Sequence, residues 1–218
     1  MIPLIGSLIK VAALKYGVSC AQVFVMAALY VNPSAAKLDD KALRVFAQEA
    51  CLVEETDSIW EIAFVESRFQ FVITSNNEIP VTAGKVSGNS SVPRTLKGMN
   101  ALRALKKAMD SDETPNLDIG VMQLNIKWHH EWFEKKYFRM ISPSQQVKYF
   151  SEVMVPSLKK HCKADWQTCY HTIATKKLKD IYRKKLKDAR KVLEIAVSKK
   201  HLGKLFHPVA ITDFEPII

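Results

Sequence analysis

Leu43, Phe46, Ala47 and Ala50 recur at the three- and four-residue spacing of one helix face, and this period governs most of the chain. It predicts a helix over Leu38 to Val53 and a second through Ile59, Ile62, Ala63 and Glu66 to about Phe69, with Asp57 as its N-cap. Further helices are expected over Thr95 to Met109, from Ser142 to about Pro156, from an Asp165 cap through Thr175, and over Lys177 to Val197. Ser142-Pro143-Ser144-Gln145 has the Ser-x-x-Gln capping pattern with Pro at the first position. Phe71 to Ser91, rich in β-branched residues, Asn, Gly and Ser, predicts a small hairpin or flap, and Asn116 to Asn125 a turn between helices. The fold class expected is mainly α, in the α+β sense. At 218 residues, 48% hydrophobic and 25% charged, the chain suits one folded domain; 7 Gly and 9 Pro exclude collagen-like and low-complexity classes.

Met1 to Ala36 holds Lys10 and Lys15 but no acid; Val18 to Val31 is nearly all apolar, and Ser34-Ala35-Ala36 follows. A basic start, a short apolar run and small residues at a cleavage position describe a secretory signal over 1–36, so a periplasmic or secreted protein is expected. The run is short for a membrane-spanning helix, which needs about 20 apolar residues. Cleavage after Ala36 removes Cys20 and leaves Cys51, Cys162 and Cys169. Cys162 and Cys169 are close enough to pair across a helix corner, with Cys51 then a buried thiol. No cysteine or histidine cluster has zinc-ligand spacing, so no metal site is expected.

The formal charge is +10, but it is unevenly placed. Lys176 to Lys204 carries twelve Lys and Arg against Asp180, Asp188 and Glu194, whereas Lys37 to Thr175 has eighteen against seventeen. The chain therefore divides into the 1–36 signal, a domain over 37–175, and a basic C-terminal helix and tail over 176–218. Such a run could hold an anionic polymer, and it is more often a plain solvated face. No nucleic-acid fold motif accompanies it, and no nucleic-acid partner is expected.

Glu66 is the carboxylate with the most unusual setting. Its i−7, i−4 and i−3 neighbours are Ile59, Ile62 and Ala63, all apolar, whereas Glu61 is expected to face solvent. Glu66 also stands near a helix C-terminus, where the dipole disfavours negative charge. Both effects push a carboxyl pKa upward, as a general acid at neutral pH requires. A Glu on an apolar face is, however, more often tied into a buried hydrogen bond or ion pair.

Glu66-Ser67-Arg68-Phe69, followed by Asp118-Ile119-Gly120-Val121-Met122-Gln123-Leu124-Asn125, resembles the lysozyme-like lytic transglycosylases. Ser75-Asn76-Asn77 and Pro93-Arg94-Thr95-Leu96 are similar to the members associated with type III and type IV secretion and conjugation. Trp166 to Tyr170-His171-Thr172 is similar to a third family element. Val121 stands where the family has Leu, and His171-Thr172 where many relatives have Asn-Ala or His-Ser. The resemblance spans roughly Leu38 to Tyr182 and implies a lysozyme-like fold, helical with a small β-hairpin or flap.

It further implies cleavage of the MurNAc-β-1,4-GlcNAc bond of peptidoglycan with formation of 1,6-anhydro-muramic acid. Glu66 would be the sole catalytic proton shuttle, with no cofactor. Ser67, Gly120, Met122, Gln123, Asn125 and Tyr170 would line the substrate, with Gly120 allowing close approach, Gln123 reaching an acetamido group and Tyr170 orienting Glu66. The partners implied are glycan strands and components of a secretion or conjugation apparatus, the protein acting as a monomer. Asp118 reads as a structural turn residue first and a second catalytic carboxylate second. Two other functions compete: a hydrolytic muramidase of goose-lysozyme type, and a non-catalytic binder of anionic polymer or nucleic acid through the basic helix.

Overall fold

The computed structural model describes residues 7–33, 35–69, 73–75, 117–133, 139–140, 142–170, 175–198 and 201–202. The helices expected over Thr95 to Met109, most of the Phe71 to Ser91 flap, and His171-Thr172 lie outside these residues. The described chain is mainly helical with one small antiparallel sheet.

Four helices come first: α1 (Leu8–Tyr16), α2 (Cys20–Val31), α3 (Ala35–Leu52) and α4 (Thr56–Ser67). Strands β1 (Ile73–Ser75), β2 (Leu117–Ile119) and β3 (Leu124–Asn125) form a sheet in that order, and a single turn, α5 (Ile126–His129), follows directly. A long helical stretch then runs as α6 (Pro143–Tyr149), a π-helical segment (Phe150–Met154) and α7 (Val155–Cys162), before a 3₁₀ segment (Lys163–Cys169). The last helix, α8 (Lys176–Ala196), is amphipathic: Tyr182, Leu186, Ala189, Leu193 and Ala196 are buried while its other faces carry the lysines.

Leu43, Phe46, Ala47 and Ala50 are all fully buried, as the period predicts, and α2 and α6 lie against α3. Where a turn was expected over Asn116 to Asn125, Leu117–Ile119 and Leu124–Asn125 are strands: Asp118 stands opposite Asn125, and Ile73 opposite Ile119. The turn at Gly120 to Gln123 brings β2 back on itself. Ser142 makes no side-chain capping bond, contrary to its pattern; its hydroxyl lies 3.2 Å from that of Ser144. The helix beginning there continues past Pro156 to Cys162 because the π-helical segment places Pro156 in the first turn of α7, where a missing N–H is harmless.

The expected boundary at residue 36 coincides with no gap in packing. Ile9, Val23, Phe24, Ala27 and Ala28 are buried in the same core as α3 and α4. Phe24 meets Phe46 edge-on at 5.9 Å and Phe69 at 6.2 Å. Cys20 is bonded to Cys51, so the reading of Cys51 as a lone thiol is corrected; Cys162 does pair with Cys169. No single helix among the described residues is long and apolar enough to cross a membrane, and α1 and α2 meet at 113°.

Asp57 caps a helix other than its own. It lies in the first turn of α4, where Glu55 is the N-cap without a side-chain bond. Its carboxylate accepts from the Ser7 hydroxyl, from Leu8 N–H at 2.7 Å and from Ile9 N–H at 3.3 Å, closing the N-terminus of α1. A carboxylate there meets both the orphan amides and the positive end of the helix dipole.

Candidate active site around Glu66

Ile59, Ile62 and Ala63 are fully buried, and the same face of α4 carries Glu66 toward α8. There the Tyr182 hydroxyl donates to Glu66 Oε1 at 2.6 Å. Glu66 is only half-buried as a residue, while protein crowds its carboxyl group. Burial pushes its pKa up to about 7, with the nearby Asp118 charge adding to the rise; the Tyr182 hydrogen bond and the Lys185 cation oppose it. A carboxyl poised there holds a proton part of the time at neutral pH and can also accept one.

The chain turns sharply after this residue. Arg68 (φ 52°) and Phe69 (φ 62°) are both left-handed, a conformation that costs a non-glycine residue about 1 kcal/mol or more. Three contacts hold the turn. The Asn32 side-chain amide donates to the Arg68 carbonyl at 2.7 Å, the Arg68 guanidinium lies over the Phe64 ring at 4.7 Å, and Phe69 packs on Trp60 at 5.1 Å. Asn32 comes from the end of α2, so residues 7–33 help to shape the segment that presents Glu66.

Ser67 faces inward. Its hydroxyl lies within hydrogen-bonding distance of Ala63 O and, at 2.8 Å, of Val121 O, which fastens the end of α4 to the β2–β3 turn. That turn has its own staple, which sequence reading missed. Gln146 of α6 is fully buried; its amide nitrogen donates to Ile119 O and Met140 O, and its oxygen accepts from Met122 N–H. Gly120 is required here because its φ is +78° and because an added Cβ would fall 1.8 Å from Gln146 Nε2. The close approach is therefore to Gln146. In the sequence only its place on the helix face of Tyr149 and Phe150, three and four residues on, signals it.

Met122 is fully buried in the core and offers no cleft surface through its side chain. The Gln123 amide nitrogen donates to Gly120 O at 2.6 Å, folding the side chain over the turn. Asn125 donates to Asp118 Oδ1 at 2.8 Å. Burial pushes Asp118 up to about 6, against the pull of that Asn125 bond.

Tyr170 does not hold Glu66. Its hydroxyl donates to the Met122 carbonyl, and the role expected of it falls to Tyr182, one long segment further on. Both tyrosines are pushed well above the ordinary phenol range, by burial first and then by the Glu66 charge, so both remain hydroxyl donors. Tyr182 was legible only as a tyrosine on the apolar face of the last helix.

Glu61 is buried, not solvent-facing, and burial pushes it up to about 7 as well. Arg190 of α8 reaches it at 3.0 Å and Asp57 at 2.8 Å with the same nitrogen. Among the described residues no three His, Cys, Asp or Glu side chains gather as metal ligands. Against known proteins, no family model matches this chain, and no curated protein or solved structure matches it.

Proposed function

We propose that this protein is a peptidoglycan lytic transglycosylase of lysozyme-like fold, acting outside the cytoplasm. The observation that carries the reading is the Glu66 carboxyl: buried, held by a neutral hydroxyl and poised near neutrality, on a residue that is itself only half-buried. Protonated Glu66 gives its proton to the glycosidic O4 as the C1–O4 bond breaks, because a bare alkoxide leaves poorly. The resulting carboxylate then takes the proton of the muramoyl 6-hydroxyl as O6 bonds to C1. One group serves both steps, the proton count closes, and no water is consumed.

The sequence order of Glu66-Ser67-Arg68-Phe69 and Gly120-Val121-Met122-Gln123 supports the same reading. So does their joining, through Ser67 to Val121, into one wall of the site. The two disulfides support an oxidising compartment, periplasmic or secreted. N-terminal sequencing with non-reducing mass mapping checks this: a chain starting near Lys37 carries Cys51 without Cys20, and a chain retaining α2 carries their bond. Service to a secretion or conjugation apparatus belongs to the same proposal.

A hydrolytic muramidase is the second reading, and the position of Asp118 favours it. Its carboxyl is electrostatically coupled to Glu66 and could hold an attacking water. Mass spectrometry of digested wall separates the two. Products ending in 1,6-anhydro-muramic acid weigh one water less than those with a reducing end; reducing-end products overturn the transglycosylase reading. Full wall-degrading activity in Glu66→Gln overturns both.

A further inference from the structure

The basic charge of α8 is not one uniform face. Along one flank, Arg183 binds Asp165 and Asp180, and Arg190 binds Asp57 and Glu61. These cations are engaged in holding α8 to the 3₁₀ segment and α4. The other flank carries Leu178, Ile181 and Lys185. Leu178 and Ile181 are 43% and 46% exposed, and Lys185 is exposed and forms no ion pair among the described residues.

Helix geometry fixes where this flank lies. Residues three and four apart on a helix are surface neighbours. Lys185 is three residues from Tyr182 and Ile181 four from Lys185, so the flank borders the tyrosine whose hydroxyl touches Glu66. The Lys185 charge is close enough to act on the Glu66 carboxyl. An exposed cation with two exposed apolar neighbours, beside the tyrosine that holds a glycan-cleaving carboxyl, matches a ligand with a carboxylate beside an apolar surface. A glycan of N-acetylglucosamine alone is neutral. The muramoyl residue differs from it by a 3-O-lactyl arm, which ends in a carboxylate or in a peptide that carries carboxylates.

We propose that this flank of α8 is part of the substrate surface and that Lys185 binds a carboxylate carried by the lactyl arm of the muramoyl residue. The proposal rests on peptidoglycan being the substrate, and it assigns the recognition of muramoyl over glucosaminyl units to one lysine.

Binding measured without cleavage tests it. The Glu66→Gln protein, with and without Lys185→Gln, is titrated with three soluble probes: strands bearing stem peptides, strands stripped of them by an amidase, and neutral N-acetylglucosamine oligomers. An exposed ion pair is weak, so Lys185→Gln should loosen muramoyl strands about two- to fivefold. Lys185→Glu should loosen them further, and the neutral oligomers should not change. Loss confined to peptide-bearing strands assigns the carboxylate to the peptide; loss on stripped strands assigns it to the lactyl group. Lys187→Gln, the same charge change on the solvent side of α8, should leave all three unaltered. Equal loss on the neutral oligomers, equal loss from Lys187→Gln, or unchanged affinity in Lys185→Gln each overturns the proposal. Failure of all three probes to bind the parent protein instead removes peptidoglycan as the substrate, and the proposal with it.

Discussion

Glu61 and Glu66 lie five residues apart on α4, both meet α8, and burial raises both to about 7. Their surroundings part from there. Glu61 is closed in by Arg190, which also binds Asp57, while Asp57 seals the start of α1; the result is an ionic knot joining three helices. Glu66, only half-buried as a residue, faces a neutral phenol. A raised pKa alone thus does not mark an acid catalyst. A partner that is always charged makes the carboxylate a structural anchor, whereas a hydroxyl partner leaves the proton free to move.

The sharpest break of this comparison exchanges each carboxyl for its amide. Glu66→Gln keeps shape and hydrogen-bonding reach but cannot transfer a proton, and it should lower wall-degrading activity by about 10²–10⁴-fold. Glu61→Gln should leave activity within a few-fold. Turbidity assays on purified wall read both; a comparable loss from Glu61→Gln would place the chemistry elsewhere.

Next in size is the anchor itself. Removing Arg190 leaves Asp57 and Glu61 as buried neighbours, and because Arg190 is 39% exposed the expected cost is about 1–3 kcal/mol of stability. The sign with pH follows from Glu61. Burial in the fold pushes it up to about 7, from the ordinary 4.5 of an unfolded chain. Folding therefore takes up a proton in that window, and the stability Glu61 contributes falls as pH rises through it. Arg190→Gln should accordingly destabilise more at pH 8 than at pH 5, where Glu61 is already neutral. Urea unfolding at the two values checks it.

Residues on regular helical faces were legible in the sequence. Leu43, Phe46, Ala47 and Ala50, the apolar neighbours of Glu66, and the span of α8 all follow from a 3.6-residue period. What could not be read is which face meets which helix. Glu61 looked solvated because its own helix places it off the Glu66 face, and only the approach of α8 buries it. Tyr182 rather than Tyr170 meets Glu66 for the same reason: a partner 116 residues away is set by tertiary packing, which local pattern does not encode. The N-terminal segment illustrates a different limit. An acid-free apolar run has the composition of a signal, and equally that of two short helices buried beside Phe69 and bonded through Cys20 to Cys51.

The Glu66 end can be sharpened by smaller changes that move its proton without removing it. Tyr182 donates to the carboxylate and so holds the Glu66 pKa down. Tyr182→Phe removes a donor from the ionised carboxylate, and a hydrogen bond to a charged group is worth about 1.5–3 kcal/mol, so the pKa should rise by about one to two units. The limb of the pH–rate profile that reports loss of the acid should move upward, with a fall in rate of about tenfold or less from poorer orientation. An unmoved limb would detach Tyr182 from the titrating group.

Asp118 should act with the opposite sign and the smallest effect. Its charge raises Glu66, and its Oδ1 accepts from Asn125, a bond that an asparagine in its place can keep through its own carbonyl oxygen. Asp118→Asn therefore removes a charge while preserving the strand pair, and the Glu66 limb should shift downward by a fraction of a unit. The rate near pH 7 should fall no more than about twofold, since a fraction of a unit is well under 1.4 kcal/mol. A transglycosylase needs no second carboxylate, because the muramoyl 6-hydroxyl replaces water. If Asp118 instead holds an attacking water, its loss removes a base and the rate should fall by about 10²-fold or more. The pH profile and the mass of the sugar products, taken on the same Asp118→Asn preparation, thus decide between a neighbour that tunes Glu66 and a partner that shares its chemistry.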